Sequence, residues 1–476
     1  MKRTILLVLL LAAITCNANI RLPRIFSSHM VLQRGSVNQI WGWADPREKV
    51  KISFAGKTIK VKAGKNGQWQ AQLPAMEYGG PYRIRIKGKN EIELNDVMIG
   101  EVWVCSGQSN MTMTVQASRN SQQEIAAAQF PAIRLFTVPK RVAQLPQEDL
   151  DNGEWVECSP ATVGSFSAAA YYFGRHLSNE LKVPIGLIHS SWGGTVAETW
   201  VSGNTIEKDA DFAPKLRRLQ TADSVKANRP NDFPTLLYNG MIHPLIPYGI
   251  KGVIWYQGEG NRDRAWQYRR LFPSLISDWR EKWNRDTFPF LFVSLANYLQ
   301  PVDTPADSKW AELREAQAMT LKVPHTGMAV AIDIGEAGDI HPKNKQEVGR
   351  RLALNALKIA YGKTLVYSGP LYDSFEKDGR SMKIRFRETG SGLIIKNGET
   401  LKGFSIAGEN QQFYWATAEV LNDSTVIVQT DKVPHPVAVR YGWADNPHTI
   451  NLYNKEGLPA HPFRTDEWPG ITVGKK

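Results

Sequence analysis

The sequence predicts an α/β protein in which a domain with a central parallel sheet lies between two β-rich modules. Three observations support this prediction. Short alternating runs fill residues 19–96, strand-like and helix-like stretches alternate over 97–362, and alternation without helical periodicity returns from about 363. Strands that alternate with helices are typical of a parallel sheet covered on both faces. The chain of 476 residues is long enough for two or three such units.

Residues 1–18 have the pattern of a secretory signal peptide. Two basic residues precede a short apolar run, and small and polar residues follow it up to Ala18. The run is too short to cross a bilayer. We therefore expect a secreted or periplasmic protein, cleaved after Ala18 and without a membrane span. Cys16 would suit a lipoprotein anchor, but Thr15 before it is larger than the residue usual at that position.

Residues 19–96 predict a small antiparallel β-sandwich. Turn signals such as Lys65-Asn66-Gly67 and Gly79-Gly80 separate its alternating runs. The predicted strands are 39–43, 49–54, 58–62, 69–73 and 82–86. This module carries no evident chemistry.

Residues 97–362 predict the parallel sheet and its helices. Ligands bind to such sheets at the carboxyl ends of the strands. Residues 200–235 are polar and weakly periodic, which indicates an insertion. The predicted strands are 97–104, 133–138, 185–189, 252–256, 290–295 and 327–333, and the predicted helices are 167–182, 264–283, 309–322 and 344–361.

Residues 363–476 predict a second β-rich domain. The expected strands are 383–386, 393–395, 413–415, 425–428 and 437–441. Because the two ends of a chain often meet, an alternative is that some of these strands complete the first β-module.

The amino-acid composition indicates which kinds of partner and metal ion the protein is expected to bind. The formal net charge is +12, but the basic residues form no dense run and no nucleic-acid motif, so we expect no nucleic-acid partner. A basic surface fits either ordinary solvation or attraction of an anionic substrate. No Cys/His spacing suits zinc, and no oxygen-rich loop suits calcium. Cys105 and Cys158 remain after signal cleavage, and we expect free buried thiols, with pairing as the alternative.

Ser109 is the candidate nucleophile. An apolar run ends at Ser106-Gly107, which predicts a buried strand followed by a tight turn that exposes the Ser109 hydroxyl. A serine hydroxyl needs a base and donors for the oxyanion that it creates. The alternatives are that Ser109 caps a helix, or that Ser106 is the relevant hydroxyl.

His341 is the candidate base, because it follows the last predicted parallel strand and so lies at the same sheet edge as Ser109. Asp339 lies two residues earlier, and in an extended loop the two side chains point the same way. Asp339 would then hold the far imidazole nitrogen. Alternatively, Asp339 caps a turn and His341 is an exposed loop residue. The contexts of three other histidines favour structural roles; these are His189, His243 and His435.

Two further strand ends offer hydrogen-bond donors. The turn at Gly193-Gly194 has backbone N–H groups that could face a reacting oxygen, or it is simply a tight turn. Gln257 and Asn261 offer amide donors, or they cap the helix that begins near Arg264.

Taken together, four blocks resemble the SGNH-type hydrolases, specifically the sialate O-acetylesterase family of carbohydrate esterases. The string at 237–245 strengthens this resemblance, which runs from about residue 20 to the end of the chain. It implies a flavodoxin-like SGNH domain with flanking β-sandwich modules. The blocks are Ser106-Gly-Gln-Ser-Asn-Met111, Ser191-Trp-Gly-Gly-Thr195, Trp255-Tyr-Gln-Gly-Glu-Gly-Asn261 and Asp339-Ile-His-Pro342.

By position, the resemblance implies Ser109 as the nucleophile and His341 as the base. It also implies an oxyanion hole built from the Ser109 N–H, a glycine N–H at Gly194 or Gly193, and the Gln257 amide. Asn261 is the counterpart of the asparagine usual in the third block.

The acid departs from the pattern of the superfamily. In the superfamily the catalytic aspartate lies three residues before the histidine. This chain has Gly338 at that position, and Asp339 lies only two residues before His341. Three groups are therefore open as the partner that orients His341: Asp339, Asp333 or a backbone carbonyl.

The implied activity is that of an exported serine esterase that removes O-acetyl groups from the sialic acids of glycans, without a metal or organic cofactor. Acetylxylan or another acetylated carbohydrate is the alternative substrate, and a carbohydrate-binding protein is the non-enzymatic alternative. A sialic acid would need a cation for its carboxylate, for which Arg262 and Arg314 are candidates beside Asn261. A homodimer is compatible with the sequence.

Overall fold

The computed structural model describes residues 19–221 and 228–476. Over these residues the fold is mixed α/β, with one eleven-stranded sheet and four smaller antiparallel sheets, as the sequence predicts at this level. The signal peptide prediction, with Cys16, lies outside the described residues. Within them, no helix combines the length and the apolar content that a membrane span requires.

The N-terminal strands follow the predicted alternation closely. Inward-facing residues of β3 such as Val50 and Ile52 are buried and their neighbours are more exposed, which is the pattern of a sheet with one covered face. β3 pairs with β4 and β6, while β2 and β5 form a separate pair. The strands are β1 (Val31–Gln33), β2 (Asn38–Trp43), β3 (Lys49–Phe54), β4 (Lys57–Lys62), β5 (Gln68–Leu73) and β6 (Gly79–Lys87).

One long strand, β7 (Glu91–Gly107), connects the N-terminal module to the central sheet. Its first half pairs with β6 and β1, and its second half lies in the middle of the central sheet. The boundary expected between 96 and 97 therefore falls inside a strand that both units share. The other central strands are β8 (Phe130–Thr137), β9 (Trp155–Cys158), β10 (Ile185–Ser191), β11 (Gly252–Tyr256), β12 (Phe290–Val293) and β13 (Thr326–Ala329).

The order of the central strands is β13-β12-β11-β7-β10-β8-β9. All neighbours are parallel except β9, which is antiparallel to β8. From β7 the chain first builds the β10-β8 side and then the β11-β12-β13 side. The carboxyl end of β7 is thus the point where strand order reverses, which is where open α/β sheets bind their ligands.

Helices cover both faces of this sheet. Alternate residues of β7 enter two different cores, with Trp103 and Cys105 on the side of α3 and α8 and Val102 and Val104 on the side of α6 and α7. Side-chain caps from Ser167, Ser308 and Asn344 begin α3, α7 and α8. The helices are α1 (Ser109–Thr112), α2 (Ser121–Ala126), α3 (Ala168–Leu181), α4 (Gly203–Ile206), α5 (Ala213–Thr221), α6 (Ala265–Lys282), α7 (Lys309–Met319) and α8 (Lys345–Ile359).

Short helical turns complete the central region. The predicted helix 309–322 ends earlier than expected, because its last residues form a 3₁₀ turn. The turns are Val115–Ala117, Val163–Ser165, Ala197–Trp200, Tyr238–Ile242, His243–Leu245, Glu259–Arg264 and Thr320–Lys322.

The C-terminal strands form three antiparallel sheets around a core of their own. No described strand after residue 363 pairs with a strand of the N-terminal module, so the alternative in which these strands complete that module is wrong. The strands are β14 (Leu371–Asp378), β15 (Ser381–Arg387), β16 (Leu393–Ile395), β17 (Phe404–Ala407), β18 (Phe413–Trp415), β19 (Thr417–Asn422), β20 (Thr425–Gln429), β21 (Ala438–Tyr441), β22 (Leu452–Asn454) and β23 (Phe463–Arg464).

Cys105 and Cys158 are free and buried, which confirms the expectation of two unpaired thiols. Burial raises the pKa of both thiols, that of Cys158 to about 12. Since the thiolate is the reactive form, these cysteines are packing residues and not nucleophiles at neutral pH.

Candidate active site

Three strands end at the same level and set the position of the site. Gly107, the last residue of β7, lies opposite Ser191 of β10 and Tyr256 of β11. Gly107 has a φ of 138°, and a Cβ there would lie 2.2 Å from the Tyr256 carbonyl oxygen, so only glycine fits. The loops that follow these strands therefore begin side by side, with Ser109 two residues beyond the sheet.

Ser109 is the first residue of α1 and is half-buried. The N-cap position belongs to Gln108, so the alternative in which Ser109 caps a helix is wrong. The rival Ser106 is fully buried inside β7. Because the first N–H groups of a helix have no partner within it, the backbone N–H of Ser109 is available to a ligand.

The Gly193-Gly194 turn lies against Ser109. A Cβ on Gly193 would be 3.3 Å from the Ser109 Cβ. Gly194 has a φ of 74°, and its carbonyl accepts a hydrogen bond of 2.8 Å from the Asn231 amide. In the described part of the chain its N–H has no partner. Backbone donors from two loops thus stand free at this edge of the sheet.

His341 lies in the loop between β13 and α8, with Asp339 beside it. The Nδ1 atom of His341 is 3.3 Å from Oδ1 of Asp339, and the same oxygen accepts the backbone N–H of His341 at 2.8 Å. Both side chains are about two-fifths exposed, at 39% and 43%. Asp333 instead binds Arg351 at 2.6 and 2.8 Å and Tyr453 at 3.1 Å. Of the two aspartates considered, Asp339 is the one that contacts His341.

Asn110, the residue after Ser109, ties the His341 loop to α1. Its Nδ2 donates to the Ile340 carbonyl at 3.1 Å and to Oε1 of Glu259 at 2.6 Å. The Lys345 ammonium donates to Oδ1 of Asn110 at 2.7 Å and to the Pro342 carbonyl at 2.6 Å. The carbonyls on both sides of His341 are therefore held by one buried polar network.

Sequence reasoning did not single out Asn110, Glu259 or Lys345. All three are buried polar residues; Asn110 and Glu259 lie inside two of the blocks that the sequence identified, and Lys345 lies three residues after the last block. Their position beside Ser109, Gln257 and His341 was the available signal, but adjacency alone does not tell a buried polar side chain from an exposed one.

Gln257 and Asn261 are buried, and both amides form hydrogen bonds between loops. Gln257 donates from Nε2 to the Thr195 carbonyl at 3.1 Å and to Oδ1 of Asn261 at 2.7 Å. Asn261 donates to Oε2 of Glu198 at 3.0 Å. In this structure these amides connect the loops after β10 and β11, and the roles expected from the sequence in an oxyanion hole and in substrate binding stay predictions.

Arg314, a substrate residue in the sequence-based prediction, is not accessible to a substrate in this structure. It is fully buried on α7, and burial lowers its pKa to about 9. Its guanidinium connects the loop after β12 to the C-terminal domain. It donates to the carbonyls of Leu295 at 2.9 Å, Ala296 at 2.8 Å, Ala444 at 2.7 Å and Asp445 at 2.8 Å.

Replacing Arg314 with methionine is expected to lower the free energy of unfolding by at least about 3 kcal/mol, because several buried carbonyls lose their donor. The KM of the folded enzyme should not change. Urea unfolding and steady-state kinetics measure the two quantities. Arg262→Met, at an exposed site, is the control and should leave stability almost unchanged. A raised KM with unchanged stability for Arg314→Met would contradict the structural role.

Two exposed cations lie near the site. The Arg262 side chain is 48% exposed, and it makes a long hydrogen bond of 3.4 Å to the Glu259 carbonyl and a long ion pair of 3.9 Å with Asp263. Lys140, which sequence reasoning missed, follows β8 and is exposed. Its ammonium lies 5.5 Å from the ring centroid of Trp192, the residue before Gly193, and it forms no ion pair within the described residues. Either cation can meet an anionic group on a ligand.

His189 and His243 are structural, as their contexts indicate. His189 contacts the Ser191 hydroxyl at 2.6 Å, and that hydroxyl contacts Thr112 of α1 at 2.7 Å. Burial lowers the pKa of His189 to about 4, so the ring is neutral at physiological pH. His243 contacts the Gln147 carbonyl at 2.8 Å.

A group of possible metal ligands, His29, Asp96 and Glu157, lies away from this edge. The Arg134 guanidinium contacts all three, at 3.3 Å from His29, 3.4 Å from Glu157 and in a short ion pair with Asp96. A protein cation therefore already balances these groups.

The chain is similar to a known protein family and to curated proteins over most of its length. A family model described as carbohydrate esterase, sialic acid-specific acetylesterase, matches residues 99–358. The sialate O-acetylesterase of Homo sapiens is 32% identical, over 94% of this chain and 94% of the human protein. That of Mus musculus is 30% identical, over 96% of this chain and 97% of the mouse protein.

Among solved structures, the crystal structure of a carbohydrate acetylesterase from Xanthomonas citri is similar over almost the whole chain. The sequences are 43% identical, the TM-score is 0.88, and the match covers 94% of this chain and 100% of that one. The similarity thus includes the β-rich regions on both sides of the central sheet.

Proposed function

This chain belongs to the family of sialic acid-specific carbohydrate acetylesterases, and on that premise we propose that Ser109 attacks the O-acetyl ester of a sialic acid while His341 takes up its proton. The chain is a carboxylic ester hydrolase of the sialate O-acetylesterase type. The observation that carries the proposed roles is the network through Asn110, which holds the His341 loop against the helix that begins with Ser109.

The reaction proceeds in two halves. Ser109 Oγ bonds to the acetyl carbonyl carbon, and its proton passes to Nε2 of His341, the nitrogen that does not face Asp339. The backbone N–H groups of Ser109 and Gly194 stabilise the oxyanion. The bond from the acetyl carbon to the sugar oxygen breaks, and His341 returns the proton to that oxygen. Water, deprotonated by His341, then attacks the acetyl carbon of the acyl-enzyme. The bond from this carbon to Ser109 Oγ breaks, Oγ takes the proton back from His341, and acetate leaves. Asp339 orients the imidazole throughout.

A sialic acid presents a carboxylate, and two cations support its recognition. Arg262 and Lys140 are exposed in the segments that follow β11 and β8, two strands on opposite sides of β7. Hydrogen bonds from a cation to a carboxylate are among the stronger ones in proteins. Arg262 keeps the substrate-binding role expected from the sequence, and Lys140 replaces the buried Arg314.

The finer description of the fold is part of the same proposal. The order of the parallel strands and the tight turn before Ser109 support an SGNH-type, flavodoxin-like catalytic domain over 97–362, with an insertion near 200–235 that contains α4 and α5. The antiparallel strands support β-sandwich modules over 19–96 and 363–476. The signal peptide pattern at 1–18 supports export to the periplasm or the medium.

Acetate release from O-acetylated sialic acid by the purified enzyme tests the substrate. We expect activity on the free acid and a KM about tenfold higher for its methyl ester, because a charged hydrogen bond of roughly 1.5 kcal/mol is lost. Acetylated xylan is assayed alongside. Release from xylan with none from the sialic acid would contradict the sialic acid assignment and leave an acetylesterase for plant polysaccharide.

A further inference from the structure

Lys345 occupies a position that is unfavourable for a cation. It is fully buried, and it is the first residue of α8, where the helix dipole disfavours positive charge. Burial lowers its pKa to about 7, an effect that Glu259, Asp339 and Glu336 oppose. Its ammonium also lies 5.4 Å from the centroid of the Tyr256 ring. A lysine is retained here only if its contacts offset these costs.

Those contacts are directed at the loop of the general base. The Lys345 ammonium donates to the carbonyl of Pro342, directly after His341, at 2.6 Å. Through Oδ1 of Asn110, at 2.7 Å, it also fixes the amide that donates to the carbonyl of Ile340, directly before His341. The same amide donates to the buried carboxylate of Glu259. Ammonium, amide and carboxylate form one chain across three loops.

We propose that Lys345 is a positioning residue for the esterase reaction, whose buried ammonium holds the His341 loop in register with Ser109. This rests on the proposed roles of Ser109 and His341. Lys345 itself touches neither the substrate nor the reacting atoms. Glu259 supplies the buried charge that compensates the ammonium, and Asn110 transmits the contact to α1. Loss of the ammonium removes the donor to the Pro342 carbonyl and one anchor of the Asn110 amide that holds the Ile340 carbonyl, which lets the imidazole leave its position.

The test compares Lys345→Met with Lys343→Met, which removes an exposed lysine two residues away in the same loop. A displacement of about 1 Å in a catalytic group costs about 100-fold in rate. We therefore expect Lys345→Met to lower kcat by about 100-fold, with KM within about twofold of the wild type. Lys343→Met should behave as the wild type. Lys345→Arg, which keeps a donor cation, should recover part of the loss.

Removing the ammonium alone leaves Glu259 as a buried charge without its counter-ion, which can unfold the protein. The double variant Lys345→Met/Glu259→Gln removes both charges and is assayed with thermal unfolding as the control for folding. A folded single or double variant with wild-type kcat would overturn the proposal. So would equal losses in Lys343→Met. Ser109→Ala, assayed in parallel, distinguishes failure of the proposed function from failure of the proposed role of Lys345. Full activity of Ser109→Ala would overturn the proposed function itself, whatever the activity of Lys345→Met.

Discussion

Ser109→Ala is expected to abolish acetate release, with a fall in kcat on the order of 10⁴ or more. The variant has no oxygen to form the acyl-enzyme, so only the backbone donors and substrate binding remain to accelerate attack by water. The measurement is steady-state acetate release from O-acetylated sialic acid at saturating substrate. Binding of the substrate to the variant, followed by calorimetry, should persist, because the side chain lost is a single hydroxyl at the reacting carbon.

Ser106→Ala is the matched control for this result. Ser106 lies three residues earlier, near the carboxyl end of β7, but it is fully buried and its hydroxyl has no hydrogen-bond partner within the described residues. Its loss should leave kcat near the wild-type value. Loss of activity in folded Ser106→Ala together with full activity in Ser109→Ala would reverse the assignment of the nucleophile.

The central sheet was predictable because its strands are short apolar runs that end at glycine or at polar residues. β11 has the bounds that its sequence predicts, 252–256, while β7 extends beyond the predicted 97–104 at both ends, to Glu91 and to Gly107. Strands buried on both faces carry no alternation, so a continuous apolar run between turn signals is the pattern that marks them. Ser109 was predicted as the nucleophile because such a run ends two residues before it.

The strands that sequence reasoning missed are mostly exposed or short. β14 and β19 form the two edges of one four-stranded sheet, and most of their side chains are exposed. An edge strand is stabilised by backbone pairing to a single neighbour, which leaves little hydrophobic pattern in its sequence. β15 and β20, between those edges, bury alternate residues and were predicted.

The candidate site likewise has features that the sequence predicts and features that it does not. Backbone features, such as the turns at Gly107 and Gly193-Gly194, follow from local sequence because glycine marks them. The hydrogen-bond partners of side chains do not follow from local sequence, because they depend on which loops the fold brings together. Arg314 lies at 2.7 to 2.9 Å from carbonyls about 18 and 130 positions away in the chain, and no local pattern indicates such contacts. Lys345 was missed for the same reason.

His341→Gln is expected to reduce kcat by a factor similar to that of Ser109→Ala, because nucleophile and base act as a unit. Asp339→Asn should cost much less, on the order of 10- to 100-fold, well below the roughly 10⁴-fold loss seen when a buried triad aspartate is replaced. The Asp339 carboxylate is 43% exposed and 3.3 Å from Nδ1, so water can take over part of its contact. Single-turnover kinetics on the three single variants give this order directly.

The double variant Ser109→Ala/His341→Gln distinguishes cooperation from independent effects. If the two residues act in one step, the double variant should be no slower than Ser109→Ala, since the base has no proton left to remove. Additive losses would contradict a shared step. A loss for Asp339→Asn as large as that for His341→Gln would show that the carboxylate controls the tautomer of the base. The network through Asn110 and Lys345 would then fix only the position of the loop, while Asp339 fixes the orientation of the imidazole within it.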